Sequence, residues 1–190
     1  MKRLLVVLVL AAAVVSALPA SASTFLAMDQ GELVRASQAV VVGEVIQVRA
    51  FWNDDATAIV TEAQVRVDET LVGEAPPFVT VRTFGGTVGR LRIEALGFPT
   101  FHTGERLVLY LEELDGPARV VGYQQGEYRI TVRHSDGVEI AVPMVDHGAH
   151  LVHLDGRAAA RPRALPLSTL KDQIRTAAGE RPAADLRDVR

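Results

Sequence analysis

Ala39-Val40-Val41-Val42-Gly43-Glu44-Val45-Ile46-Gln47-Val48-Arg49-Ala50 is the stretch on which the fold class turns. It is β-branched and nearly continuous at its start, the pattern of a strand buried on both faces there. Outward from it, Ala63, Val65 and Val67 alternate with Glu62, Gln64, Arg66 and Asp68, the period of two of a half-exposed strand. Between the two lies Trp52-Asn53-Asp54-Asp55-Ala56, whose Asn and Asp side chains can bond their own backbone in a turn. The pair therefore reads as one long hairpin.

The same signals continue downstream. Gly73-Glu74-Ala75-Pro76-Pro77 turns the chain into the run from Phe78 to Phe84, and Gly85-Gly86-Thr87-Val88-Gly89 breaks it before Arg90 to Glu94 alternates again. Glu105 to Leu111 has the apolar density of a central strand, and Ala118–Tyr123, Tyr128–Arg133 and Val138–Val142 are further short candidates. Short strands separated by regular turns predict an all-β barrel or sandwich. Val45, Val65, Val81 and Leu109 should lie in its core. Two helices flank this body: a short one across Asp29 to Ser37, with Leu33 and Val34 inward, and one near 168–178. Ser168 can cap the second, Leu170, Ile174 and Ala177 share its face, and Gly179 stops it.

Met1, Lys2 and Arg3 precede an unbroken apolar run from Leu4 to Val15, and Ala20-x-Ala22 follows. This is the pattern of an export signal over residues 1–22, cut before Ser23. The apolar run is shorter than the roughly 20 residues that span a bilayer, so no membrane span is expected in the mature protein. The sequence has no cysteine, which excludes a lipid anchor at the cut and any disulfide in an oxidising compartment. A periplasmic or extracellular location follows as the expectation. Residues 23–155 are expected to form the β domain, and residues 156–190 an Ala/Arg/Pro-rich tail that contains the second helix and ends in disordered charged residues. Residues 23–155 hold ten basic and nineteen acidic side chains, a formal charge of −9. A body this acidic argues against a nucleic-acid partner, because phosphate binding rests on Lys and Arg.

Chemistry-bearing motifs are sparse. Asp146, His147, His150 and His153 fall within eight positions, and neutral imidazoles with a carboxylate are the usual protein ligands of zinc. The spacing matches no established zinc motif, and Gly148 disfavours a helix. On a strand His147 and His153 share a face and His150 points away, which leaves too few ligands on one face and favours a polar hairpin at the domain edge. His102 reads as a surface-loop residue. Gly85-Gly86-x-x-Gly89 is followed by a strand and no Lys-Ser/Thr pair, so it reads as a hairpin or bulge and not as a phosphate loop. Asn53-Asp54-Asp55 has too few oxygens for calcium. Gly-x-Ser-x-Gly, His-Glu-x-x-His and a cysteine nucleophile are all absent from the sequence, leaving the common hydrolase mechanisms without support.

The segments Val42-Gly43-Glu44-Val45, Thr61, Val65-x-Val67, Leu71-Val72-Gly73-Glu74, Val79-x-Val81, Gly85-Gly86 and Phe101-x-x-Gly104-Glu105-Arg106 resemble a group of exported, mostly uncharacterised bacterial proteins. Similar segments stand alone or accompany matrixin-like secreted zinc peptidases. Their order is also similar to the OB-type barrel of netrin-like and tissue-inhibitor-of-metalloprotease-like domains. The resemblance covers roughly Ala36 to Val132 and implies an OB-like β-barrel of about five to eight short strands. Metalloprotease inhibitors of that kind chelate zinc through an N-terminal cysteine, which this chain lacks. The expected function is an exported, non-enzymatic binding module for a protein or cell-envelope component. The alternatives are a metal-binding protein or metal-dependent enzyme centred on the histidines, and a companion or inhibitor of a secreted peptidase.

Overall fold

A computed structural model describes residues 24–179. The expected export signal, its expected cut before Ser23 and the charged end of the tail lie outside the described residues.

The chain runs β1 (Thr24–Leu26), α1 (Gln30–Ala36), β2 (Ala39–Trp52), β3 (Ile59–Gly73), β4 (Phe78–Phe84), β5 (Gly86–Val88), β6 (Leu91–Ile93), β7 (Arg106–Glu112) and β8 (Arg119–Val120). After a 3-10 turn (Tyr123–Gly126) follow β9 (Glu127–Val132), β10 (Glu139–Pro143), β11 (His150–Val152), β12 (Leu165–Pro166) and α2 (Leu167–Gly179). The architecture is mostly β with two helices, as the turn spacing predicts.

One eight-stranded sheet forms the body, in the order β12-β10-β9-β7-β2-β3-β4, with β8 paired to β7. The described strands do not close into a barrel. The free edge of β4 meets the β7–β8 connection through one isolated parallel bridge, Val81 to Ala118, in which Ala118 N donates to Thr80 O and Arg82 N donates to Ala118 O, both at 2.8 Å.

The expected β2–β3 hairpin is present and pairs from Ala39↔Gly73 to Trp52↔Ile59, with register shifts along the way. Its turn is held as the sequence suggests: Asn53 Oδ1 accepts from the N–H of Thr57 at 2.8 Å and of Ala58 at 2.9 Å. Gly43 sits at one of the shifts, where a Cβ would lie 2.4 Å from the Arg66 carbonyl oxygen; only hydrogen fits where the two backbones approach so closely.

The sheet is covered on both faces. On one, Val40, Val42, Val108, Tyr110, Tyr128 and Ile130 pack against Leu33 and Val34 of α1 and Leu167, Leu170 and Ile174 of α2. On the other, Val41, Val45, Val65, Val81, Leu107 and Leu109 pack with Phe101 and Val120. Successive side chains of a strand point to opposite faces, so β2 and β7 feed both cores at once. That is why Ala39 to Val42 needs no polar alternation. Val45, Val65, Val81 and Leu109 are each fully buried, in agreement with the sequence pattern.

Both helices sit where expected. Asp29 caps α1 by accepting from Glu32 N, and the Glu32 carboxylate accepts from Asp29 N in return, a reciprocal box that satisfies two otherwise orphaned donors. α2 begins at Leu167, one residue before the proposed Ser168 cap. It packs on the sheet, and Lys171 and Arg175 both pair with Glu69 of β3, at 2.5 and 2.9 Å. The residues between Gly156 and the helix are fastened too: β12 extends the sheet beside β10, and Ala158 bridges to Val152.

Candidate functional site

Four rings form a continuous line over one end of the molecule. Phe25 lies 5.5 Å from Tyr123, Tyr123 lies 4.8 Å from Phe98, and Phe98 lies 5.3 Å from Phe84, measured between ring centroids. The last two contacts are edge-to-face, the arrangement aromatic quadrupoles favour. Phe84 is 52% and Tyr123 45% exposed, so large apolar surface that folding ordinarily hides remains in water. A contiguous exposed apolar patch of this kind marks an interaction surface.

Grooves flank this line. One of about 480 Å3 runs between β4 and β8, lined by Phe84, Phe98 and Tyr123 and by the charged Arg82, Glu112 and Arg119. The other, of about 530 Å3, lies under the β5–β6 hairpin, where Ile93 and Leu96 face Phe84, Phe98 and His102. The Gly85-Gly86-x-x-Gly89 motif is that hairpin's entrance and tip, with Gly86↔Ile93 and Val88↔Leu91 paired. It cradles no phosphate-type helix terminus. Every β6 residue is exposed, and Leu91 is 57% and Leu96 48% exposed.

The 3-10 turn organises the line. Gly122 and Tyr123 are both left-handed, at φ 64° and 59°. Glycine adopts this backbone freely, whereas tyrosine is rare there and costs about 1–2 kcal/mol. Tyr123 is held by its neighbours. Gln124 N donates to Gly97 O at 3.0 Å, its Nε2 donates to Phe98 O at 3.1 Å, and its Oε1 accepts from Asp146 N at 2.8 Å. Gln125 Nε2 donates to Leu26 O at 2.9 Å and its Oε1 accepts from Met28 N at 2.9 Å. Two amides thus tie the N-terminal segment, the Gly97–Phe98 loop and Asp146 to one turn.

A polar network runs into the second core just beyond it. His102 Nδ1 lies 3.0 Å from Glu105 Oε1, to which Arg129 Nη2 donates at 2.9 Å. On β9 the residue sharing Arg129's face is Glu127, opposite Leu109 and fully buried. Among the described residues, neither Glu127 carboxyl oxygen nor Arg129 Nε has a hydrogen-bond partner. Burial pushes the Glu127 carboxyl up to about 8, the Arg129 charge pulling it back and the Glu105 charge adding to the rise. Glu127 is therefore a neutral acid at pH 7. Buried polar groups are nearly always paired, and unpaired ones cluster at functional or strained places.

The proposed metal ligands sit on the neighbouring edge. His147 lies in a turn, His150 opens β11 and His153 follows it, and all three are exposed. Asp146 Oδ1 accepts from Gly148 N at 2.9 Å, a local turn bond. Arg161 donates to the carbonyls of Asp146, His147 and Ala149 at 2.9, 2.7 and 2.6 Å, placing a fixed positive charge against the same turn. Among the described residues no group of three or more His, Cys, Asp or Glu is placed to hold a metal ion, and Asp146, His147, His150 and His153 are not brought together. β11 does not pair back onto β10; its partner is β1, in parallel, with Thr24↔His150, Phe25↔Leu151 and Leu26↔Val152.

Sequence reasoning missed Phe25, Tyr123 and Glu127. Phe25 lies in a short apolar run, Phe25-Leu26-Ala27-Met28, with no period or turn signal, Tyr123 at the end of a candidate strand, and Glu127 before a Tyr128-x-Ile130-x-Val132 alternation that assigns it to solvent. No family model, curated protein or solved structure matches the chain.

Proposed function

We propose that this chain is an exported, non-enzymatic binding module that takes a protein or cell-envelope component on the Phe84–Phe98–Tyr123 surface. The observation that carries the reading is the exposed aromatic line itself, set between two grooves and fixed by a left-handed tyrosine. Strain held in place by surrounding hydrogen bonds is characteristic of ligand clamps. Ion pairs along the groove rim, such as Arg82–Glu62 at 2.5 Å, offer hydrogen-bonding groups beside the apolar floor.

The finer fold in this proposal is an OB-like barrel formed by β2, β3, β4, β8 and β7. The Val81–Ala118 bridge supports it, because two backbone hydrogen bonds tie the open edge of β4 to the residue just before β8. Export rests on the sequence of residues 1–22. N-terminal sequencing of secreted material should start at Ser23, and a retained Met1 would remove export from the proposal.

Retention of a cell-envelope extract on immobilised protein tests the site. Tyr123→Ser with Phe84→Ser should abolish retention, while His147→Ala with His153→Ala should leave it intact. Retention insensitive to the aromatic pair would refute the proposed surface.

A further inference from the structure

We propose that β1 is a resident occupant of a peptide-binding site, and that the partner is an extended peptide which displaces it, carrying one aromatic side chain into the place of Phe25. This deepens the binding-module proposal and rests on it.

The chain itself shows how such a peptide sits. β1 adds to β11 as a parallel three-residue strand, and one step further on Ala27 N donates to Val152 O at 2.8 Å. Backbone pairing of this kind is the general mode of strand addition, in which the main chain supplies affinity and alternate side chains supply specificity. Here a single side chain points inward. The Phe25 ring covers Gly97 so closely that a Cβ there would lie 2.0 Å from it, and it continues the aromatic line at Tyr123. Gly97, at φ 83°, is therefore the floor of an aromatic slot.

Gln125 reads the peptide backbone without regard to side chains. Its buried amide donates to Leu26 O and accepts from Met28 N, a two-sided clamp on consecutive peptide units. The ligand class is thereby defined: an extended segment with an aromatic residue at the Phe25 position. Proline is excluded at the positions of Ala27 and Met28, whose N–H groups are both used.

The resident strand is a weak occupant. Thr24 and Leu26 are exposed, Phe25 is only half-buried, and two-stranded pairs of this size are marginal in water. Its advantage is attachment: a tethered segment competes at an effective concentration on the order of millimolar. Removing the Phe25 ring should surrender most of that advantage.

The experiment uses the full chain and a fluorescent synthetic peptide of residues 24–29. Phe25→Ala should bind it at least about tenfold more tightly than the unaltered chain does, a difference of about 1.4 kcal/mol. The same peptide with alanine in place of its phenylalanine should not bind, and Gly97→Leu added to Phe25→Ala should abolish binding by filling the slot. Equal binding to both chains, or none to a folded Phe25→Ala, overturns the inference. Envelope retention that persists in that case would leave the binding-module reading standing.

If Phe25→Ala does not fold, hydrogen exchange on the unaltered protein decides. The Ala27 amide should exchange at least about a hundredfold faster than the β2 and β7 amides, through local opening. Exchange as slow as theirs would mean that β1 leaves only when the whole domain unfolds, and the inference fails.

Discussion

β2 with β7 and β1 with β11 are both two-strand ladders, yet they stand at opposite extremes of this molecule. The first is antiparallel over six positions, and every side chain from Leu107 to Leu111 is fully buried, alternately under the helices and in the second core. The second is parallel over three positions, with Thr24, Leu26 and His150 in solvent and Leu151 alone well buried. Burial of apolar surface stabilises at roughly 25 cal/mol per Å2, so strands with two covered faces concentrate the free energy of folding. The β1–β11 pair has little of it. Regions that open locally and bind partners come from that low-stability end, and the aromatic line begins there.

The contrast is sharpest at Leu109. Leu109→Ala should lower stability by about 2–5 kcal/mol in urea unfolding, since both the transfer of the side chain and the cavity left behind count against the fold. An unchanged midpoint would deny β7 its central role.

Next in size is the pH dependence owed to Glu127 in the same deep layer. Its carboxyl is neutral in the folded protein up to about 8, while in the unfolded chain it ionises from the ordinary value of 4.5. The unfolded state therefore loses the proton first. The stabilisation is fully present below 4.5 and is lost progressively as pH rises to about 8. Unfolding free energies at pH 5 and 8 should differ by more than about 1.4 kcal/mol, the equivalent of one pKa unit. Glu127→Gln should flatten that difference, and a slope unchanged in this variant would assign the effect elsewhere.

At the other extreme, Leu26→Ala should alter stability by no more than about 0.5 kcal/mol, because that side chain is 54% exposed. A loss comparable with Leu109→Ala would erase the distinction between the two ladders. The smallest expected effect is that of zinc at the β11 turn. Calorimetric titration at neutral pH should show no tight stoichiometric binding; tight binding lost in His147→Ala with His153→Ala would instead make this edge a metal site.

Period and turn chemistry made the body legible. The β2–β3 hairpin, the central β7, the Asn53 turn, the Asp29-started helix and the face of α2 carrying Leu170 and Ile174 all follow local rules, and the structure agrees with each. The candidate site was hardly legible. Alternation in β9 reads Glu127, Arg129 and Thr131 as the wet face, but a strand whose second face meets another core has no wet face where Glu127 sits. The histidine cluster drew notice because its residues are close in sequence. Phe25, Phe84, Phe98 and Tyr123 did not, because their proximity arises only in three dimensions.

The sequence by itself determined which segments extend and which coil, since those choices depend on side chains within a turn or two of one another. It also determined the absence of disulfides and the acidity of the body. Tertiary structure alone decided that β11 takes β1 and not β10 as its partner, that Gln125 clamps a segment nearly a hundred residues away, and that a glutamate lies unpaired in the core. Each of these depends on which distant surfaces the sheet's order brings together, and local propensity carries no record of that order.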